Sequence, residues 1–215
     1  MILYDYWRSS SAWRVRIALH FKGVAFERRV VNLSKDGGSE QHTDAFRALN
    51  PLSQVPVLIL DDGVHAVAQS MAIIAYLEER FPTPSLLPAD PWLRARARQL
   101  AEIVNSGTQP LQNLSVLDHA QAHGVDDRDG WARHFIARGL TALETASQET
   151  AGTFLVGDAL SIADAYLVPQ LYNARRWKVD LAPFPTLVRI DARCAALPAF
   201  VAAHPDAQSD AQPPG

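Results

Sequence analysis

The sequence has one cysteine in 215 residues, so no disulfide can form within the chain. That residue, Cys194, lies in Ile190-Asp191-Ala192-Arg193-Cys194-Ala195-Ala196-Leu197, which reads as helix. Its expected role is that of a small buried hydrophobe, because a reactive cysteine needs an electropositive and accessible setting. Any thiol chemistry must therefore bring its thiol from outside the protein. Clusters of one charge sign are also missing. The 20 Lys and Arg against 23 Asp and Glu leave a net charge of −3 spread along the chain, and no basic stretch resembles the footprint of a nucleic-acid binder. No segment approaches the roughly 18 consecutive apolar residues of a membrane span. The chain opens directly on strand-like sequence without an export signal, so a cytoplasmic location is expected. There is no internal repeat and no glycine-rich phosphate loop. The absence of a Gly-x-Ser-x-Gly elbow disfavours a serine hydrolase. His119 and His123 have the spacing of a metal pair on one helical face, but no third ligand accompanies them, and no metal is expected.

What is present divides the chain in two. Ile2-Leu3-Tyr4-Asp5-Tyr6 reads as a strand, followed by a helix through Val15, Ala18 and Leu19 that Ser10 or Ser11 could cap and Lys22-Gly23 would end. Glu27 to Leu33 reads as a second strand, Lys35-Asp36-Gly37-Gly38 as a loop, and a short helix is expected before Leu49-Asn50-Pro51. The run from Val55 to Leu60, the turn Asp61-Asp62-Gly63 and His65 to Ala68 predict a β-hairpin. Gln69-Ser70 opens a further helix, with Ser70 expected as its N-cap. This is a βαβ unit followed by a ββα unit, an α/β domain over residues 1–81. Residues 82–91 lie in a segment with four prolines between Phe81 and Pro91 and read as a linker. Beyond it, Trp92 to Val104, Gln109 to His123, Trp131 to Thr150, Ser161 to Arg176 and Thr186 to Ala203 all read as helices, giving an all-α domain over 92–204. Residues 205–215 are polar and proline-rich and are expected to be disordered. Ser161-Ile162-Ala163-Asp164 fits a capping box, which makes Asp164 a buried cap rather than a catalytic acid.

Ser9-Ser10-Ser11-Ala12-Trp13-Arg14-Val15-Arg16-Ile17-Ala18-Leu19 closely resembles the signature of the zeta-class glutathione transferases, usually written Ser-Ser-Cys-x-Trp-Arg-Val-Arg-Ile-Ala-Leu. Further matches are Asn32-Leu33-x-Lys35-Asp36-Gly37-Gly38, Leu49-Asn50-Pro51-x-x-Gln54-Val55-Pro56 and Gln69-Ser70-x-Ala72-Ile73-Ile74. Leu86-Leu87-Pro88, the run from Gln109 to Leu117 and the run from Arg176 to Leu181 extend the resemblance over nearly the whole chain. It implies a thioredoxin-like βαβ-ββα domain, an all-helical C-terminal domain, a homodimer and a glutathione cofactor. It also implies glutathione-dependent isomerisation of maleylacetoacetate. Maleylpyruvate isomerisation, or a general conjugating or haloacid-dehalogenating transferase, stand as alternatives, and a binding module without catalysis is disfavoured by the serine cluster. One departure matters: the cysteine of the family signature is Ser11 here.

The resemblance assigns site residues, and each also has a plainer reading. Free thiols ionise at about 8.5, so a glutathione site must favour the anion. The start of a helix does so through free N–H groups and the peptide dipoles, and a hydroxyl donor adds a charge-assisted hydrogen bond. Ser9, Ser10 and Ser11 supply such hydroxyls; the family parallel favours Ser9 or Ser10, and all three could equally be turn and cap residues. In the family the Val55–Pro56 bond is cis and the valine backbone pairs with glutathione like an added strand. Gln69-Ser70 resembles the seat of the γ-glutamyl carboxylate, and Gln41 a contact to the glycyl end. Gln109 and Asn113, four apart on one expected helical face, would reach glutathione from the second domain, or else simply face water. Arg8 and Arg176 would bind the carboxylates of a small dicarboxylate substrate, unless they serve as ordinary surface ion pairs. Arg175 is a neighbour of Arg176 that could be confused with it, and Arg14 and Arg16 read as serving structure or the dimer.

Overall fold

The computed structural model describes residues 1–34 and 38–212, so most of the Lys35-Asp36-Gly37-Gly38 loop reading lies outside the described residues. The chain forms two compact units, one of residues 1–85 together with 197–215 and the other of residues 86–196.

In the first unit the order is β1 (Ile2–Asp5), α1 (Ser10–Phe21), β2 (Glu27–Val30), α2 (Asp44–Leu49), β3 (Val57–Ile59), β4 (Ala66–Ala68) and α3 (Ser70–Arg80). The sheet runs β2-β1-β3-β4, with β1 parallel to β2 and antiparallel to β3, and β3 antiparallel to β4. Residues directly opposite one another share a face and alternate faces along each strand. Leu3 and Leu58 are opposite partners and fully buried. The pairs Ile2 with Ile59 and Tyr4 with Val57 turn to the other face, where they pack with Phe46 of α2. The β3–β4 turn closes through Leu60 N to His65 O at 2.9 Å, with Gly63 at φ +70°, a conformation that suits glycine. The His65 ring and the backbone N–H groups of His65 and Val64 hold the Asp62 carboxyl down to about 2.

Helix α1 departs from the expected one-sided apolar stripe. Every residue from Ala12 to Leu19 is buried, including both arginines. The reason is that α1 packs against α3 and also against α9 (Pro198–Ala203). The reading of one helix from Thr186 to Ala203 is therefore corrected: α8 (Pro185–Ala195) ends, and Pro198 starts a separate helix that belongs to the first unit. The expectation of a disordered tail over 205–215 also gives way for the described part. Pro205–Ala207 forms a 3-10 turn, the Gln208 side chain donates to Ala202 O and His204 O, and Asp210 pairs with Arg28 at 2.9 Å. Composition misled here because polar and ionic partners, with the burial of Pro205, order the segment.

The second unit contains α4 (Pro91–Asn105), α5 (Leu114–Ala122), α6 (Arg128–Ser147), α7 (Ile162–Arg176) and α8. Asp90 caps α4 through Leu93 N at 2.8 Å, with Pro91 at the first helical position, where its missing N–H costs nothing. Helix α7 is buried from Ile162 to Leu171 and packs against α4 and α8. The expected helix from Gln109 to His123 is interrupted: Gln109–Gln112 is a 3-10 turn and Asn113 is extended at φ −67°, ψ 142°. That turn is anchored from outside itself. Thr108 Oγ1 donates to Ile103 O, Leu111 O accepts from Trp131 Nε1, and a Cβ at Gly139 of α6 would meet Thr108 Oγ1 at 2.0 Å.

At the start of α7 the capping box forms. Asp164 Oδ2 accepts from Ser161 N at 2.8 Å and Ser161 Oγ at 2.9 Å, and Oδ1 accepts from Leu155 N at 2.9 Å. Burial pushes the Asp164 carboxyl up to about 6 in spite of these donors. Cys194 is fully buried beside Leu187 and Ile190 on α8, and burial raises its thiol far above the ordinary range. No protein thiolate is available for chemistry.

Candidate functional site

The sheet topology gathers chemistry at one end of the first unit. The C-terminal end of β1 leads into Tyr6-Trp7-Arg8-Ser9 and α1. Because β3 is antiparallel to β1, with Tyr4 opposite Val57, its N-terminal end carries Val55-Pro56 to the same edge. Strand β4 pairs Ala68 with Val57, so Gln69-Ser70 and the start of α3 arrive there too. Strand β2 runs parallel to β1 and delivers its C-terminal end to that edge, from which the chain passes through Asn32 to the 3-10 turn of Glu40–His42 that bears Gln41. Asn32 O accepts from Glu40 N, which ties that turn back to the strand end.

Ser9, not Ser10 or Ser11, caps α1. It is extended at φ −67°, ψ 115°, and its Oγ accepts from Ala12 N at 3.3 Å while its carbonyl accepts from Trp13 N. A hydroxyl that accepts in this way still has its proton to donate. Ser10 and Ser11 occupy the first turn, where backbone N–H groups lack acceptors within the helix. Ser10 is itself buried and Ser11 half-buried. Oriented N–H groups, a hydroxyl proton and the positive end of the helix dipole together favour an anion. Arg8, just before, lays its guanidinium 5.2 Å from the Trp7 ring centroid.

At α3 the expectation that Ser70 caps is corrected. Gln69 is the cap residue, at φ 72°, ψ 120°, and Ser70 is the first helical residue. Its Oγ instead accepts from Arg14 Nη1 at 3.3 Å, and both residues are buried. A positive φ at a non-glycine residue is held only where its surroundings compensate, and such residues cluster at functional sites. Arg14 is a contributor that sequence reading assigned to structure or the dimer. It joins the starts of two helices and places a fully buried positive charge behind the Ser70 seat. Its position in the signature, four residues after Ser10, was the available signal.

The Val55–Pro56 bond is cis, and Val55 belongs to the cluster around Phe46. Gln41 Oε1 is buried without a hydrogen-bond partner among the described residues, an acceptor suited to a ligand's N–H. Ser9, Ser10, Ser11, Gln41, Val55, Pro56, Gln69, Ser70 and Arg8 are thus brought to one end of one sheet. Their donor set fits glutathione. Two helix starts suit anionic groups, and the cis Val55–Pro56 entry to β3, itself buried, lies beside them.

The remaining assigned residues lie in the second unit. Gln109 is in the 3-10 turn and Asn113 follows it in extended conformation, so the two do not share a helical face. Gln112, not singled out from sequence, is the buried amide of that turn and donates through Nε2 to Gln170 Oε1 at 2.8 Å. Arg176 lies in the last turn of α7, and its neighbour Arg175 is committed to Asp191 at 2.6 Å. Burial raises the Asp191 carboxyl, and Arg175 pulls it back. His119 and His123 stack at 4.0 Å between ring centroids, and His123 Nδ1 lies 2.8 Å from His119 O. Among the described residues no group of three or more His, Cys, Asp or Glu could hold a metal ion.

Family comparisons agree with this geometry. The model of the glutathione S-transferase N-terminal domain matches residues 8–80, and that of the C-terminal domain matches residues 135–198. Maleylacetoacetate isomerase of Mus musculus is 50% identical over 97% of this chain and 94% of its own length. The chain belongs to the zeta-class glutathione transferases. A crystal structure of maleylacetoacetate isomerase from Anaeromyxobacter dehalogenans, with dicarboxyethyl glutathione and citrate in its active site, is 56% identical. It superposes with a TM-score of 0.89, covering 99% of this chain and 94% of that one. The holo structure of a zeta-class maleyl pyruvate isomerase is 43% identical with a TM-score of 0.91, covering 99% and 100%. Among the described residues no helix is long and apolar enough to cross a membrane.

Proposed function

We propose that this chain catalyses the glutathione-dependent cis–trans isomerisation of maleylacetoacetate to fumarylacetoacetate. The observation that carries the reading is the convergence of the Ser9-capped start of α1, the cis Val55–Pro56 entry to β3 and the Gln69-Ser70 start of α3 at one sheet end. Bound glutathione supplies the thiolate that adds reversibly to the maleyl double bond, leaving a single bond free to rotate before the thiol departs.

The chain's own residues do the rest. The Ser9 hydroxyl donates to the sulfur anion, and the first-turn N–H groups of Ser10 and Ser11 add to the field that favours it. The α3 start, backed by the buried Arg14, seats the γ-glutamyl carboxylate. Gln41, Val55 and Pro56 orient the peptide portion. Gln109 and Asn113 are assigned to glutathione, and Arg8 and Arg176 to the substrate carboxylates, on the family resemblance. Its neighbour Arg175 pairs with Asp191. The buried Cys194 and the serine at position 11 leave glutathione's sulfur as the reacting thiol. The proposal extends to a homodimer in the cytoplasm, which the resemblance implies and light scattering would check.

The deciding experiment follows the absorbance of maleylacetoacetate and of maleylpyruvate with and without glutathione. Glutathione-dependent turnover of maleylacetoacetate is expected. Preference for maleylpyruvate would move the chain to its neighbouring activity, which the 43% identical maleyl pyruvate isomerase makes the second reading. Undiminished turnover without glutathione would overturn the mechanism.

A further inference from the structure

The C-terminal segment reaches the loop that presents Ser9. Asp210 Oδ2 accepts a hydrogen bond from Trp7 N at 3.1 Å, and its Oδ1 accepts from Arg28 Nη2 at 2.9 Å. Arg28 Nε donates onward to Asp5 Oδ2 at 2.7 Å. Asp5 also receives Arg16 Nη1 at 2.7 and 2.8 Å, while Arg16 Nη2 donates to Trp7 O at 2.8 Å and its Nε to Ala203 O at 3.0 Å. The N–H and the C=O of Trp7 are thus each held by a charged side chain from outside the loop. Two residues later Ser9 N donates to Tyr6 O at 2.9 Å, which carries the constraint to the cap itself. The charges alternate, Asp210, Arg28, Asp5, Arg16, and sum to zero, so the network needs no further counter-ion.

We infer that Asp210 is a positioning residue: it clamps the Trp7 backbone so that the Ser9 hydroxyl and the α1 start stay aimed at the glutathione thiol. This rests on the reading of Ser9 as the thiol's partner, and it adds the C-terminal segment, which is far from the signature in sequence, to the machinery of the site. The clamp fixes geometry before any ligand arrives. It acts on how well the thiolate is stabilised more than on how tightly the rest of glutathione is held.

The test compares the full-length protein with Asp210→Ala and Asp210→Asn. Asparagine keeps an acceptor for Trp7 N–H but removes the charge. In both variants Arg28 retains Asp5, which it then shares with Arg16. Backbone amide exchange without glutathione is read across Tyr6 to Ala12. The ultraviolet absorbance of the thiolate is titrated against pH with glutathione bound, and kcat and KM are measured separately. With Asp210→Ala, exchange in the Tyr6–Ala12 segment should rise and kcat should fall, each by about tenfold, as for one lost charge-assisted hydrogen bond. The thiolate titration should move to higher pH, and KM for glutathione should change far less. Asp210→Asn should recover most of the exchange protection and of the titration. Unchanged exchange and titration in Asp210→Ala would overturn the inference. So would loosening spread evenly over the unit with equal losses in kcat and KM that asparagine does not restore. The exchange measurement needs no ligand, so a failure of the isomerase reading would appear as inactive parent protein and is separable from a failure of the clamp.

Discussion

Asp5 and Asp164 are both fully buried carboxylates, one in each unit, and they are satisfied by opposite means. Asp5 is met by two arginines, Arg16 and Arg28, that come from a helix and a strand elsewhere in the unit. Asp164 has no cationic partner among the described residues; its donors are backbone and hydroxyl groups, among them those of Leu155 and Ser161. The first arrangement locks distant pieces of chain together and is built into the end of the sheet that carries Ser9. The second is a local device that starts one helix. A buried charge used for long-range positioning needs a counter-charge, because the desolvation of two ions is offset only by close and complete pairing. A buried carboxyl used as a cap can instead rely on neutral donors, and burial raises Asp164 to about 6 in spite of them.

Substitution of Asp5 by Ala should have the largest effect. It leaves Arg16 fully buried without its carboxylate, and urea unfolding should show a loss of about 3–5 kcal/mol. A loss below about 1 kcal/mol would mean that Arg16 finds another partner and that the pairing is not what locks the unit. Asp164→Ala should follow at about 2–4 kcal/mol, since it orphans buried donors at the α7 start. Ser9→Ala should lower kcat/KM about a hundredfold through loss of one donor to the developing anion, while destabilising the fold by only about 1 kcal/mol through the cap. Steady-state kinetics beside thermal unfolding separates those two effects.

The pH response should report on the buried cap. Burial raises Asp164 from 3.8 to about 6, so folding favours its protonated form. Its contribution is complete below about pH 4 and is lost as pH rises through 6. Measured against Asp164→Asn, which does not titrate, the stability of the parent protein should fall by roughly 2–3 kcal/mol across that window. A flat difference would show that the backbone donors offset burial entirely. The smallest effect is expected at Arg175. This half-exposed partner of Asp191 should give less than about 1 kcal/mol on replacement by Ala, with isomerisation unchanged. Arg176→Ala should reduce isomerisation sharply, and equal kinetic losses at both positions would mean that the two arginines had been confused.

Much of this molecule was legible in the order of its residues, because the interactions concerned are short in sequence. The Ser161-x-x-Asp164 box, the Asp61-Asp62-Gly63 turn, the apolar run of β3 and the proline-rich stretch after α3 each depend on groups within a few positions of one another. Cys194 likewise read correctly as a buried hydrophobe.

Other features turned on partners far away in sequence. Three serines in a row can each cap a helix. Which one does is decided by the path of the Tyr6–Ser9 loop, and Asp210 and Arg16 hold that loop. Asn113 interrupts an otherwise continuous helical pattern where outside groups anchor the preceding turn, Trp131 on Leu111 O and Gly139 against Thr108. Arg14 looked like one polar residue on a helix face until α3 and α9 covered α1 and left its guanidinium on Ser70. The tail from Pro205 looked too polar to fold, because composition measures apolar burial and takes no account of a carboxylate that finds an arginine and a backbone N–H across the unit. Local propensity and spacing determined the elements and the kind of site. The assignment of roles within that site fell to tertiary pairing, since a buried polar group is stable only where the whole fold supplies its partner.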